Sequence, residues 1–504
     1  MKPVGAPLRA LWRDWRRGVI VSVAAGLLLG LLVGWLTPRG PLTTPEGLTT
    51  MALAFLVGFV AGLVMRSRWA MLVAPVAFVS AFELAHIGVS GPTVDGVQIS
   101  TYGAIAFVVG RGLLGAVGVL PMVLGAALGA AAARRINEGP QIRQGRRRAG
   151  LYARRGVAAV VGALLIALAV GIARPADTNP IVGANGEPLA GSVAELTSAE
   201  IDGHELALMI RGASSDNPVL LFLAGGPGGT EMGAMREHLE ALEEGFVVVT
   251  WDQRGTGKSY RELDPTSTLT LEQAVGDTIE VTNYLRDRFG QEQIYLMGQS
   301  WGSLLGVLAV QREPELYEAY IGTGQMVSPR ETDRIFYQDT LDWARETGNE
   351  DLVETLIDIG PPPYDEILDY EPALSHEQDV YPYDRSENSE GEGGFSENLF
   401  VEEYTLLEQV HNLGAFLDTF SVLYPQIQDI DLRESATELG VPVYLIQGRH
   451  EARGRAVLAE EWFRQLSAPR KRLTFLDTSG HRPLFEQPEE FTQRMRNMVL
   501  DSSS

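Results

Sequence analysis

The chain has 504 residues, a formal net charge of −23 and no cysteine, which excludes disulfides, thiolate nucleophiles and Cys-based metal sites. Residues 1–175 hold 18 Lys+Arg against 5 Asp+Glu, whereas the remainder holds 23 against 59. An apolar, Arg-rich front joined to an acidic rear is not one uniform globule, and the acidic rear argues against nucleic acid as a partner because phosphates would be repelled.

The front half predicts an α-helical membrane domain over 1–175, anchored in a lipid bilayer. Crossing a hydrocarbon core takes about 20 apolar residues. Five segments qualify: 18–36, 47–65, 69–89, 113–133 and 156–173. Arg and Lys crowd the tail before the first segment, the turn after the second (Arg66, Arg68) and the loop after the fourth (Arg134 to Arg155). That asymmetry places the N-terminus in the cytoplasm, and five crossings then put the rear domain on the extracytoplasmic side. Residues 101–112, apolar up to Arg111, read as a re-entrant or interfacial piece, or as an extension of the fourth span. Gly26, Gly30 and Gly34 recur every four residues, a face where another helix approaches closely, in the same chain or in a second copy. Glu83, His86 and Arg111 are ionisable groups at membrane depth; Glu83 either pairs with Arg111 or lies near the wet surface. Residues 176–196, rich in Pro, Gly and Asn, read as a linker.

From 197 to 501 short apolar runs alternate with amphipathic helices. HELALMIRG, NPVLLFLAG, FVVVTWD, QIYLMG, LYEAYIGTG, VPVYLIQG and RLTFLD read as strands, and 233–244, 271–289, 302–312, 454–466 and 487–499 as helices. This is the pattern of a mostly parallel sheet covered on both faces. An insertion over about 326–438 breaks it, with helices at 329–347 and 398–420 around the acidic stretch DRSENSEGEGGFSEN, which reads as a mobile loop. Placed between two strands, the insertion is expected to cap the strand ends, where such sheets carry their sites.

GQSWG at 298–302 fits G-x-S-x-G between a strand and a helix, a turn that lifts Ser300 above the sheet. A serine hydroxyl needs a base, and His481 follows the last strand, where such a base belongs. The imidazole needs a carboxylate from an intervening strand end. Glu451 in IQGRHE is the choice, with Asp477 the rival, set too near His481 to come from a separate strand end. A tetrahedral intermediate needs two amide donors. Trp301, directly after the nucleophile, supplies one; AGGPGG at 224–229 supplies the other, from Gly226 or alternatively Gly225. No G-K-[ST] follows these glycines, so a phosphate loop is disfavoured. Asp252 and Arg254 in WDQRGTGKS read as ties that hold the loop beneath the site together.

AGGPGG, WDQRGTGKS, GQSWG, Glu451 in GRHE and His481 in SGHRP together resemble the proline iminopeptidase group of α/β-hydrolases, over about 197–500 and nowhere in the membrane half. The resemblance implies an α/β-hydrolase fold with a helical cap, the triad Ser300, Glu451 and His481, and release of an N-terminal residue from a peptide. It also implies cap carboxylates that bind the substrate's free amino group. Among Glu402, Glu403 and Glu408, Glu403 and Glu408 are the choices, beside a bland reading as exposed charges on a helix. The chain departs from the group's pattern at Ala224 (usually His), Gln299 (usually Gly) and Glu451 (usually Asp). The expectation is a membrane-anchored serine hydrolase of aminopeptidase type, with no metal or organic cofactor. An esterase or amidase for small or lipid-derived substrates is the alternative, and a transporter or sensor with a ligand-binding rear domain the third reading.

Overall fold

The structure is a computed structural model and describes residues 12, 14–138, 146–385 and 400–499. It divides into two compact units. Met1–Ile99, Ala104–Pro175 and Thr405–Gly414 form one; Ser100–Gly103, Ala176–Tyr404 and Ala415–Ser504 form the other.

In the first unit, four helices among the described residues are long and apolar enough to cross a membrane: Trp15–Leu36, Thr44–Met65, Thr101–Asn137 and Gly150–Ala173. The third expected segment holds a shorter apolar helix. Helix Ala70–Ala85 has 16 residues, a rise of about 24 Å, short of a core of about 30 Å. The chain leaves the helix at His86 and turns at Gly88, whose φ of 102° suits glycine. Residues 101–112 are not a separate element: they run into the fourth span as one helix of 37 residues, interrupted by π-helical turns at Val108–Gly112 and Gly115–Val119.

Small residues set the helix packing of this unit. The Gly26, Gly30 and Gly34 face meets helix Ala70–Ala85 of the same chain, and a Cβ on Gly30 would lie 2.2 Å from the carbonyl oxygen of Phe78. A second contact is reciprocal. A Cβ on Gly58 would fall 1.9 Å from the Met122 carbonyl oxygen, and one on Gly125 would fall 2.2 Å from that of Phe55. With lipid outside, such backbone-to-backbone approach supplies the attraction that apolar burial supplies in water. Glu83 and Arg111 do pair, through two bonds of 3.1 and 3.2 Å, and Arg111 also donates to the carbonyls of Thr93 and Val94. The segment Thr405–Gly414, expected in the cap, belongs to this unit because its apolar face has a matching surface here. Leu406, Leu407 and Val410 pack with Met51, Leu113, Val117 and Ile172, and the His411 ring lies 3.1 Å from the Pro41 carbonyl.

The second unit is built on an eight-stranded sheet: β1 (Val193–Ile201), β2 (His204–Gly212), β3 (Val219–Leu223), β4 (Val247–Trp251), β5 (Ile294–Gln299), β6 (Tyr317–Thr323), β7 (Val443–Gly448) and β8 (Lys471–Leu476). The order is β1-β2-β4-β3-β5-β6-β7-β8. β1 and β2 pair antiparallel at one edge and β2 runs antiparallel to β4, while the rest are parallel. β3, β4, β5 and β7 are buried along their whole length, which is why they appear in the sequence as near-continuous apolar runs. β1 is the strand that the sequence reading leaves out. It is an edge strand carrying Glu195 and Glu200, with only its last residues well covered, and its leading residues fall in the expected linker.

The long helix Leu271–Phe289 starts where the Thr270 side chain accepts from the Gln273 amide and stops at Gly290, left-handed at φ 64°. Between β6 and β7 lie helices Pro329–Thr347 and Glu350–Ile359 and shorter turns. Of the expected mobile loop, all but Asp384 and Arg385 lies outside the described residues. The sheet order reverses between β3 and β5, which lie side by side with Leu223 opposite Gly298. The loops leaving these two strands therefore emerge next to each other, at the crevice where open α/β sheets bind ligands.

Candidate active site

Ser300 sits on the turn between β5 and helix Trp301–Arg312 with φ 53° and ψ −119°, backbone angles that cost a non-glycine residue about 1–3 kcal/mol. The surroundings enforce the turn. A Cβ on Gly298 would lie 2.2 Å from the Gly302 carbonyl oxygen, and one on Gly302 would lie 2.1 Å from that of Leu223. The Ser300 amide donates to the Thr323 carbonyl at 3.1 Å, and the Ser303 hydroxyl donates to the Ser300 carbonyl at 2.5 Å. The serine is thereby fixed from both sides while its hydroxyl stays at the head of the helix.

Glu451 and His481 meet in the loops after β7 and β8, with His481 Nδ1 2.6 Å from Glu451 Oε2. Glu451 Oε1 accepts from the Ala452 amide at 2.8 Å and from Arg455 Nε at 2.7 Å. Burial alone would push the Glu451 carboxyl up, but Arg455 and His481 outweigh it and bring it down to about 2. The acid is therefore an anion throughout the physiological range. Among the described residues no hydrogen bond closes between Ser300 Oγ and the His481 ring, a link that is often long without substrate and tightens in the complex. The ring does approach the strand end beside the serine: at Gly324, just past β6, a Cβ would lie 3.1 Å from His481 Nδ1. Asp477, the rival acid, is exposed and faces Arg449 at 3.4 Å.

The Trp301 amide is at the first position of its helix, where no intrahelical acceptor exists. The AGGPGG loop passes close by, since a Cβ on Gly225 would lie 3.4 Å from Ser300 Cβ. Gly226 has a φ of 120° and is followed by a cis peptide to Pro227. The loop closes on itself through the Gly229 amide, which donates to the Gly225 carbonyl at 3.0 Å.

WDQRGTGKS ties these parts together, and its central glutamine, passed over in the sequence reading, makes the connection. Gln253 accepts from Trp301 Nε1 at 2.9 Å and donates to the Ala224 carbonyl at 3.2 Å, so it joins the serine turn to the glycine loop. Asp252 accepts from the Lys258 amide at 2.8 Å and from the Tyr404 hydroxyl at 2.9 Å. Arg254 makes a two-pronged pair with Asp277 at 3.0 and 2.8 Å, both side chains fully buried. Replacing Arg254 by Ala leaves a buried carboxylate without its cation and is expected to cost about 3–5 kcal/mol. Thermal denaturation of the purified chain checks this, and an unchanged midpoint would reject it.

Two further residues, Arg455 and Glu486, were not singled out from the sequence, and Gln299 was named there only as a departure from the group's pattern. Arg455 lies one helical turn beyond Glu451, and an Arg four residues after a candidate acid was the available signal. Gln299 fills the space beside Gly225 and makes a long bond of 3.4 Å to the His481 carbonyl. Glu486 accepts from the amides of Gly480 and Arg482 on either side of His481; nothing in its sequence setting points to this. The two carboxylates expected to bind an amino group each have a protein partner. Glu403 is fully buried and accepts from Arg236. Glu408 caps its own helix, accepting from the Thr405 amide at 2.7 Å.

Residues 218–488 match the family described as the alpha/beta hydrolase fold. The chain is 29% identical over 319 residues to the "Probable aminopeptidase YbaC" of Bacillus subtilis (strain 168), covering 61% of this chain and 97% of that protein. It is 29% identical over 132 residues to the "Probable proline iminopeptidase" of Leptolyngbya boryana, covering 26% of this chain and 39% of that one. Among solved structures, the proline iminopeptidase-related protein of Thermus thermophilus aligns with a TM-score of 0.42 at 21% identity, covering 61% of this chain and 98% of that one. The family match takes in more than half of the chain, and the chain belongs to the α/β hydrolase fold family.

Proposed function

We propose that the chain is a membrane-anchored serine hydrolase of aminopeptidase type, with Ser300, His481 and Glu451 as its catalytic residues. The observation that carries this is the 2.6 Å bond between His481 and Glu451, at the strand ends beside a serine held at φ 53°. His481 takes the Ser300 proton through Nε2 as Oγ attacks the substrate carbonyl, and Glu451 stabilises the imidazolium that forms. The amides of Trp301 and of Gly226, or alternatively Gly225, receive the developing oxyanion. His481 then protonates the leaving amine, and water releases the acyl group by the same steps. The B. subtilis relative's name supports the aminopeptidase reading. With the shorter apolar helix Ala70–Ala85 counted as a fifth crossing, the Arg asymmetry supports a cytoplasmic N-terminus and a hydrolase unit on the extracytoplasmic side; four crossings would return that unit to the cytoplasmic side, and protease accessibility in oriented vesicles tells the two apart.

One observation favours a second reading. Glu403 and Glu408 already have protein partners, Arg236 and a helix N-terminus, so an ammonium group would have to share them, with Glu403 Oε2 the one oxygen of Glu403 left without a hydrogen bond. An esterase or amidase for small or lipid-derived substrates would need no such carboxylate. Aminoacyl-arylamides with a free or an acetylated amino group separate the two readings. An aminopeptidase is expected to prefer the free amine by at least about tenfold in kcat/KM; equal rates, or hydrolysis of simple esters alone, would move the assignment to the second reading.

A further inference from the structure

Two side chains of one short cap stretch, Glu377 and Tyr383, reach the loops that carry Glu451 and His481. The Tyr383 ring stacks on His450, the neighbour of Glu451, with centroids 4.9 Å apart and planes 3° from parallel. It also lies against Gly480, the neighbour of His481, where a Cβ would fall 2.5 Å from the phenol oxygen and 2.9 Å from Cζ. The tyrosine is thus wedged between the acid loop and the base loop. Its hydroxyl donates to Glu486 Oε2 at 2.5 Å. That same carboxylate accepts from the Gly480 amide at 3.0 Å and the Arg482 amide at 3.1 Å, and so grips the backbone on both sides of His481. Burial, with Glu486 beside it, pushes the Tyr383 phenol up, which keeps it a proton donor at working pH. On the acid side Glu377 pairs with Arg455. Arg455 occupies Glu451 Oε1 at 2.7 Å, which leaves Oε2 to the imidazole.

We propose that residues 377–383 act as a positioning strap, which sets the geometry of the Glu451–His481 pair through Arg455 on one side and Glu486 on the other. Glu377 and Tyr383 are positioning residues in this scheme. The proposal rests on the serine-hydrolase reading above and adds that the cap governs the acid–base step itself, beyond any part it has in binding substrate.

The test uses the full-length chain, a small p-nitrophenyl ester and a small fluorophosphonate, each too compact to report on cap–substrate contacts. Tyr383→Phe keeps the ring stack and loses the hydroxyl that bonds Glu486; Glu377→Gln keeps the shape and loses the charge. Each is expected to lower kcat and the labelling rate about tenfold with KM within about twofold of wild type, because small displacements of an acid–base pair are felt mainly in the chemical step. Glu486→Gln should reproduce the effect of Tyr383→Phe, which guards against a single misfolded variant. Labelling and kcat within about twofold of wild type in all three would overturn the strap, as would a raised KM at unchanged kcat, the mark of a substrate contact. Labelling that persists in Ser300→Ala would overturn the underlying serine-hydrolase reading, a result told apart because it concerns a different residue.

Discussion

Ser300→Ala is expected to abolish covalent labelling by a fluorophosphonate and to lower kcat by about 10⁴–10⁶-fold. Without Oγ there is no atom to carry the acyl group, and only the amide donors and the binding surface remain to assist water. The fold should be untouched. Alanine occupies the same strained angles as serine, at φ 53° and ψ −119°, and the glycines at 298 and 302 that make the turn possible are still in place. Thermal midpoints of the two proteins should therefore coincide while activity differs by orders of magnitude. A variant that keeps more than about a hundredth of wild-type kcat, against the losses usual for a nucleophile, would sink the assignment of Ser300.

Glu451→Gln is expected to lower kcat by about 10⁴-fold, because an amide does not stabilise the imidazolium and lets the ring take the wrong tautomer. Glu451→Asp tests the departure from the family's usual acid: the shorter arm cannot hold Arg455 and His481 at 2.7 and 2.6 Å together without movement, so an intermediate rate is expected. The glutamate has a second signature in acid. Its carboxyl is held at about 2 against an ordinary value of 4.5. A depressed carboxyl contributes stability that is complete above its unfolded value and is lost as pH falls through its folded value. Wild type should thus lose this contribution between about pH 4.5 and pH 2, and Glu451→Gln should lack that part of the pH dependence. Acid titration of the thermal midpoint in the two proteins measures it, and parallel curves would reject the ionised, paired glutamate.

Much of the fold was legible because the buried strands are mostly apolar. VLLFL, VVVTW and VYLIQG announce themselves, whereas β1 does not, since an edge strand with Glu195 and Glu200 has no continuous apolar face to read. Ser300, His481 and Glu451 could be nominated from the sequence because each follows a recognisable strand. Gln253, Arg455 and Glu486 act through partners distant in sequence, and neither spacing nor composition marks such contacts. Glu403 and Glu408 illustrate the reverse. Their charge was visible, but Arg236 and a helix cap claim them, and only three dimensions bring those partners in. The third apolar stretch, 69–89, met the length criterion as composition, yet the helix within it stops at Ala85, because hydropathy does not register where a chain turns.

The reciprocal glycine contact between helices Thr44–Met65 and Thr101–Asn137 has a consequence for inherited or engineered variation. Two staves whose main chains touch at Gly58 and Gly125 have no soft side-chain layer to absorb an added methyl group. Alanine at either place would wedge the pair apart while leaving the catalytic unit's chemistry as competent as before. Damage there should surface in the cell as chains discarded by membrane quality control, with normal turnover per surviving molecule.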